Sequence, residues 1–134
     1  MKVNISLLFR ITGAALAVQV ALGGLVSFGF LDSSAHIVWG VVLGVLAIVS
    51  LVYVARMSPR PKRLFGLTIG IGVDILLQAL IGFAVLRTSG ALSSGIAWVH
   101  LLNAFAVFAM AIMGSGMAMA AGRMAAPSPA TTAG

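Results

Sequence analysis

From Ile11 to Leu31 the chain runs for 21 residues, ITGAALAVQVALGGLVSFGFL, without a charged side chain, bounded by Arg10 and Asp32. A helix of that length is about 32 Å long, enough to cross the hydrocarbon core of a bilayer. The pattern recurs. A second apolar segment covers about 35–56 and a third about 64–86, with Asp74 near its centre, and 35 uncharged residues then separate Arg87 from Arg123. That last interval is too long for one crossing and too short for two with a turn. The RTSGALSSG stretch, 87–95, has Gly/Ser turn chemistry and predicts a loop, so the fourth span is expected at about 96–122.

Such a chain cannot build a polar shell. Hydrophobic residues make up 61% and charged residues 7%, against about a quarter charged in a soluble domain, so a water-soluble globule is excluded. The expected fold is all-α: an integral membrane four-helix bundle, up-down-up-down, over residues 1–123. Spans are expected at 11–31, 35–56, 64–86 and 96–122. The Pro/Ala/Thr-rich tail, 124–134, is expected to be disordered. The first span is longer than a signal-peptide core, and no small-residue cleavage site follows it, so it is expected to be a retained helix.

The net charge of +6 would suggest nucleic acid as a partner in a soluble protein, but position argues for topology instead. Lys2 and Arg10 precede or open the first span, Arg56, Arg60, Lys62 and Arg63 cluster between the second and third, and Arg123 follows the fourth. Basic residues concentrate on the cytoplasmic side of membrane proteins. This predicts a multi-pass protein of the cell (plasma) membrane with both termini cytoplasmic, whose partner is membrane lipid and not nucleic acid. Only Arg87 lies on the outer side. Cysteine is absent, and the two acidic residues are Asp32 and Asp74. Disulfides, thiolate metal sites and a cysteine nucleophile are therefore excluded, and redox chemistry would need a bound cofactor.

The chain repeats itself. Gln19-Val20-Ala21-Leu22-Gly23 in the first span matches Gln78-Ala79-Leu80-Ile81-Gly82 in the third, 59 residues on. After each comes an outer loop and then one of the two histidines, His36 and His100, at the head of the next span and 64 residues apart. The halves read as a duplicated helical hairpin in parallel orientation.

In an up-down-up-down bundle, spans two and four are diagonal neighbours with axes about 12–14 Å apart. Two imidazoles facing each other across that gap suit the two axial positions of one haem iron, whose apolar macrocycle is compatible with a bundle core. Two histidines alone make a poor zinc site, which wants a third protein ligand. The competing reading is that both are polar residues tolerated at the membrane interface; ionisable residues inside the membrane are, by default, functional. Arg87 is a candidate partner for a haem propionate, or an ordinary interfacial arginine. Asn103, three residues after His100, shares its face and is a candidate supporting residue. Asp32, four residues before His36, is a candidate for acting on a substrate edge, or is simply solvated. Asp74 and Gln78 lie one turn apart, and a hydrogen bond from Asp74 to a neighbouring helix is expected in preference to a proton path. Trp39 and Trp98 are expected as interfacial belt residues.

The series QVALGGLV, outer loop, His36, LQALIGFAVLRTSG, outer loop, WVHLLNAFAVFAMAI resembles one four-helix half of the haem A synthase family, whose usual members carry two such halves. The resemblance covers nearly the whole chain apart from the tail. It implies a haem protein that oxidises the C8 methyl of haem O toward haem A, with His36 and His100 as the axial pair. In the family's full-length members, one four-helix half holds haem b and the other holds the substrate haem. The chain departs from the family in placing Asp32 where a catalytic glutamate precedes the first histidine, in lacking the loop cysteines found in some members, and in having one histidine pair. Two readings follow. Either a homo-oligomer supplies both haem sites, or the chain is a b-type membrane cytochrome that exchanges electrons with a membrane donor or acceptor, or carries haem, without methyl oxidation. A cofactor-free membrane scaffold is the reading from outside these classes.

Overall fold

The computed structural model describes residues 4–124 of the chain, and the side chains of 4–120. Four helices account for nearly all of it: α1 (Ile5–Ser27), α2 (Ser33–Ala55), α3 (Lys62–Arg87) and α4 (Gly90–Met124). All four are long and apolar enough to cross a membrane. The tail predicted to be disordered lies outside the described residues, apart from Met124.

Three helix boundaries differ most from the sequence expectation, each for a local reason. α1 begins at Ile5, six residues early, because Asn4 caps it: its side chain accepts from the Ser6 and Leu7 amides at 3.1 and 3.3 Å. Arg10 therefore lies within the helix. α1 ends at Ser27, four residues before Leu31, in a Schellman turn. Gly29 takes a φ of +75°, the Gly29 amide returns to the Val26 carbonyl, and the Phe30 amide returns to Leu25. The largest departure is in the second outer connection. Gly90 to Gly95, expected as loop, forms the first turns of α4, and only Thr88 and Ser89 link it to α3. Hydroxyls here return to backbone carbonyls, Thr88 to Ala84 at 2.9 Å and Ser94 to Gly90 at 3.4 Å. In a span, such local bonds let Ser and Thr sit in helix instead of turning the chain.

Each helix packs on its two neighbours, α1 on α2 and α4, and α3 on α2 and α4, while the diagonals α1–α3 and α2–α4 have no close backbone approach. The chain is thus an up-down-up-down bundle. Its packed core is one-sided. Every buried described residue lies within 6–16, 43–54, 64–71 or 107–118, the half of the bundle that holds the N-terminus and the α2–α3 loop. Phe9 is the central wedge. It is 1% exposed and lies so close to Gly114 that a Cβ there would sit 2.5 Å from its ring. Thr12, Ser50 and Thr68 are buried around it, each hydroxyl donating to the carbonyl four residues earlier, so the core spends no polar group unpaired. From 17 to 42 and from 72 to 106 no residue is buried. In the half with the α1–α2 and α3–α4 connections the residues are half-buried or exposed, and both histidines lie there.

Candidate functional site at the histidine pair

His36 opens α2 and His100 lies in the third turn of α4. Although these helices sit on the diagonal, the two rings meet, with centroids 6.1 Å apart and planes at 66°. The repeat explains how. Each histidine ring rests on a glycine of the preceding helix: a Cβ on Gly23 would lie 3.1 Å from His36 Cε1, and a Cβ on Gly82 would lie 3.2 Å from His100 Cε1. The glycines are notches that let each ring lean inward from its own hairpin.

The glutamines four residues before those glycines complete each half. Gln19 Nε2 lies 3.2 Å from His36 Nε2, and Gln78 Nε2 donates to the backbone carbonyl of His100 at 2.9 Å. Nδ1 of His36 and Nδ1 of His100 are both buried and unpaired, as are Gln19 Oε1, Gln78 Oε1 and Asn103 Nδ2. Five unpaired buried polar atoms in one region are unusual in a native fold, where nearly all such groups find a partner.

The remaining candidates are placed as follows. Asn103 lies one turn beyond His100, half-buried. Asp32 is fully exposed and is the N-cap of α2, its carboxylate accepting from the backbone amide of Ser34 at 2.7 Å and from the Ser34 hydroxyl. These two bonds hold its pKa below the ordinary aspartate value. Arg87 is exposed at the last turn of α3, where a cation complements the helix dipole. Trp39 is half-buried, and its indole donates to the Ala15 carbonyl of α1 at 2.8 Å, whereas Trp98 is 65% exposed. Asp74 makes no hydrogen bond to a neighbouring helix, nor any ion pair, among the described residues. Gly70 beside Met110 and Gln78 beside His100 bracket it along α3, one turn to either side.

Among the described residues no three His, Cys, Asp or Glu side chains come together as a metal-binding group. The site offers two imidazoles in an apolar setting. No family model, curated protein or solved structure matches the chain.

Proposed function

We propose that this chain is a haem-binding membrane protein with His36 and His100 as the axial ligands of one haem b. The observation that carries this reading is the meeting of the two rings at 6.1 Å in the unpacked outer half of the bundle. The two imidazoles come together without a third protein ligand beside them, so His36 and His100 would be the residues that hold a metal centre. With only two protein ligands on offer, a centre whose other positions are filled by its own macrocycle fits the donor set, and a bare ion does not. The glycine notches support the same reading, because they seat each ring so that it leans toward the other hairpin. Bound there, haem would supply one-electron chemistry. The chain's own residues would supply ligation, orientation and exclusion of water.

The geometry favours a b-type cytochrome in the cell membrane, termini cytoplasmic, passing electrons between membrane partners or carrying haem. The carboxylate of Asp32 is engaged as a helix cap and points its acceptors at Ser34, which leaves the pair itself as the working part. The position of Asp32 at the outer mouth, four residues before His36, supports the second reading, haem A synthase-like oxidation of the C8 methyl of haem O by a homo-oligomer. Co-expression with a haem O source followed by haem extraction separates the two: hydroxylated haem or haem A accumulates only under the second.

A further inference from the structure

The two hairpins agree at glutamine, glycine and histidine but differ at one neighbouring position, and that difference makes the two histidines unequal. One turn after His36 stands Gly40, where a Cβ would lie 3.3 Å from Gln19 Nε2. The amide of Gln19 thus lies in a second notch, on α2, while the ring of His36 lies in the notch on α1, and the two side chains interlock. One turn after His100 the same register brings Ala104, which carries the Cβ that Gly40 lacks. In this half the amide of Gln78 goes instead to the His100 carbonyl and does not reach the ring.

Because Nδ1 of each ring is sealed in the protein, Nε2 is the nitrogen each histidine has to offer. Gln19 Nε2 lies 3.2 Å from Nε2 of His36, and donation from that amide is compatible only with the ring proton on Nδ1. We propose that Gln19 is a positioning residue and place-holder: it caps Nε2 of His36 in the cofactor-free protein, holds the ring in the tautomer that can ligate, and must be displaced when the cofactor binds. His100 carries no cap and engages first. The proposal rests on the bis-histidine reading above, and its test separates the two.

The full-length protein, purified without cofactor and labelled with 15N-histidine, is compared as wild type, Gln19→Leu and Ala104→Gly by NMR, and each is then titrated with haem b. In wild type the His36 ring is expected in the Nδ1–H tautomer alone and His100 as a mixture. Gln19→Leu releases His36 into a mixture, and Ala104→Gly, by opening the missing notch, draws His100 into the tautomer of His36. In the titration, Gln19→Leu strengthens haem binding about fivefold, the worth of one neutral hydrogen bond, and Ala104→Gly weakens it by a similar factor. A merely structural role for both positions would weaken binding in both variants, so changes of the same sign overturn the proposal. An unaltered His36 signal in Gln19→Leu also overturns it. Wild type that takes up no haem overturns the reading of the site's function, while the NMR comparison still decides whether Gln19 caps His36.

Discussion

The rings of His36 and His100, 64 residues apart in the chain and on diagonal helices, meet at a centroid distance of 6.1 Å. Diagonal helices are normally too far apart for short side chains to touch. Here the rings reach each other because each leans over a glycine of the helix before it, and because the bundle holds no packed core at that level.

The notches are therefore expected to be sensitive to a single methyl group. Gly23→Ala and Gly82→Ala each put a Cβ within 3.1–3.2 Å of a histidine ring carbon, which pushes the ring off its position. Overpacking of this kind costs about 1–3 kcal/mol, so haem b affinity should fall about fivefold or more in each variant. Gly24→Ala, where a Cβ meets nothing within 4 Å, should leave affinity within about twofold. A spectrophotometric haem titration of the three purified variants makes the comparison.

Stability should hinge on the opposite half of the bundle. Gly114→Ala drives a Cβ to 2.5 Å from the Phe9 ring and is expected to destabilise the fold by about 1–3 kcal/mol. Gly116→Ala meets nothing within 4 Å and gains up to about 1 kcal/mol from helix propensity. Opposite shifts of the unfolding midpoint, followed by circular dichroism in detergent, are the expected result. A neutral Gly114→Ala would mean that Phe9 yields easily and is not the wedge of the core.

Asp74 sits at the centre of α3 without a hydrogen-bond or ion-pair partner among the described residues. An aspartate at the middle of a membrane helix costs about 2.5–3.5 kcal/mol to insert. Asp74→Leu should accordingly stabilise the bundle by roughly 2 kcal/mol, read as a higher unfolding midpoint. Destabilisation would reveal a partner for the carboxyl and would restore the expected interhelical bond.

The cap on α2 carries a pH dependence of known sign. Ser34 lowers the folded pKa of Asp32, so its contribution is complete above the unfolded carboxyl's range, about pH 4. It is lost as pH falls through the lower folded value. The Ser34 amide proton should shift upfield through that acid range as its bond to the carboxylate weakens, and Asp32→Asn should abolish the titration. A Ser34 amide that titrates in Asp32→Asn would assign the dependence to another group.

Much of this arrangement was legible in the sequence, because charge-free runs and histidine spacing are long-range signals that lipid leaves little freedom to alter. Four crossings, their antiparallel order and the equivalence of His36 and His100 all follow from them. The misread or unread parts are local. Gly90 to Gly95 has turn composition, yet it is helical, with the Ser94 hydroxyl returning to the Gly90 carbonyl inside α4 and the Ser93 hydroxyl donating to the Val85 carbonyl of α3. Trp39 has the position of a belt residue, and its indole finds the Ala15 carbonyl on α1, a partner that hydropathy cannot register. The roles of Gly23, Gly40 and Gly82 were visible only as small residues. That the first and last receive a histidine ring and the second an amide depends on helix rotation, which no spacing rule fixes.

The central claim is that His36 and His100 together ligate one haem. The most direct measurement is the absorption spectrum, with pyridine-haemochrome assay, of the full-length protein expressed with ample haem, beside His36→Ala and His100→Ala. The account predicts a Soret band with sharp α and β bands on reduction in the wild type, the signature of two nitrogen axial ligands, and loss of that spectrum in both variants. Wild-type protein without a Soret band, or an unchanged spectrum in either histidine variant, would contradict it.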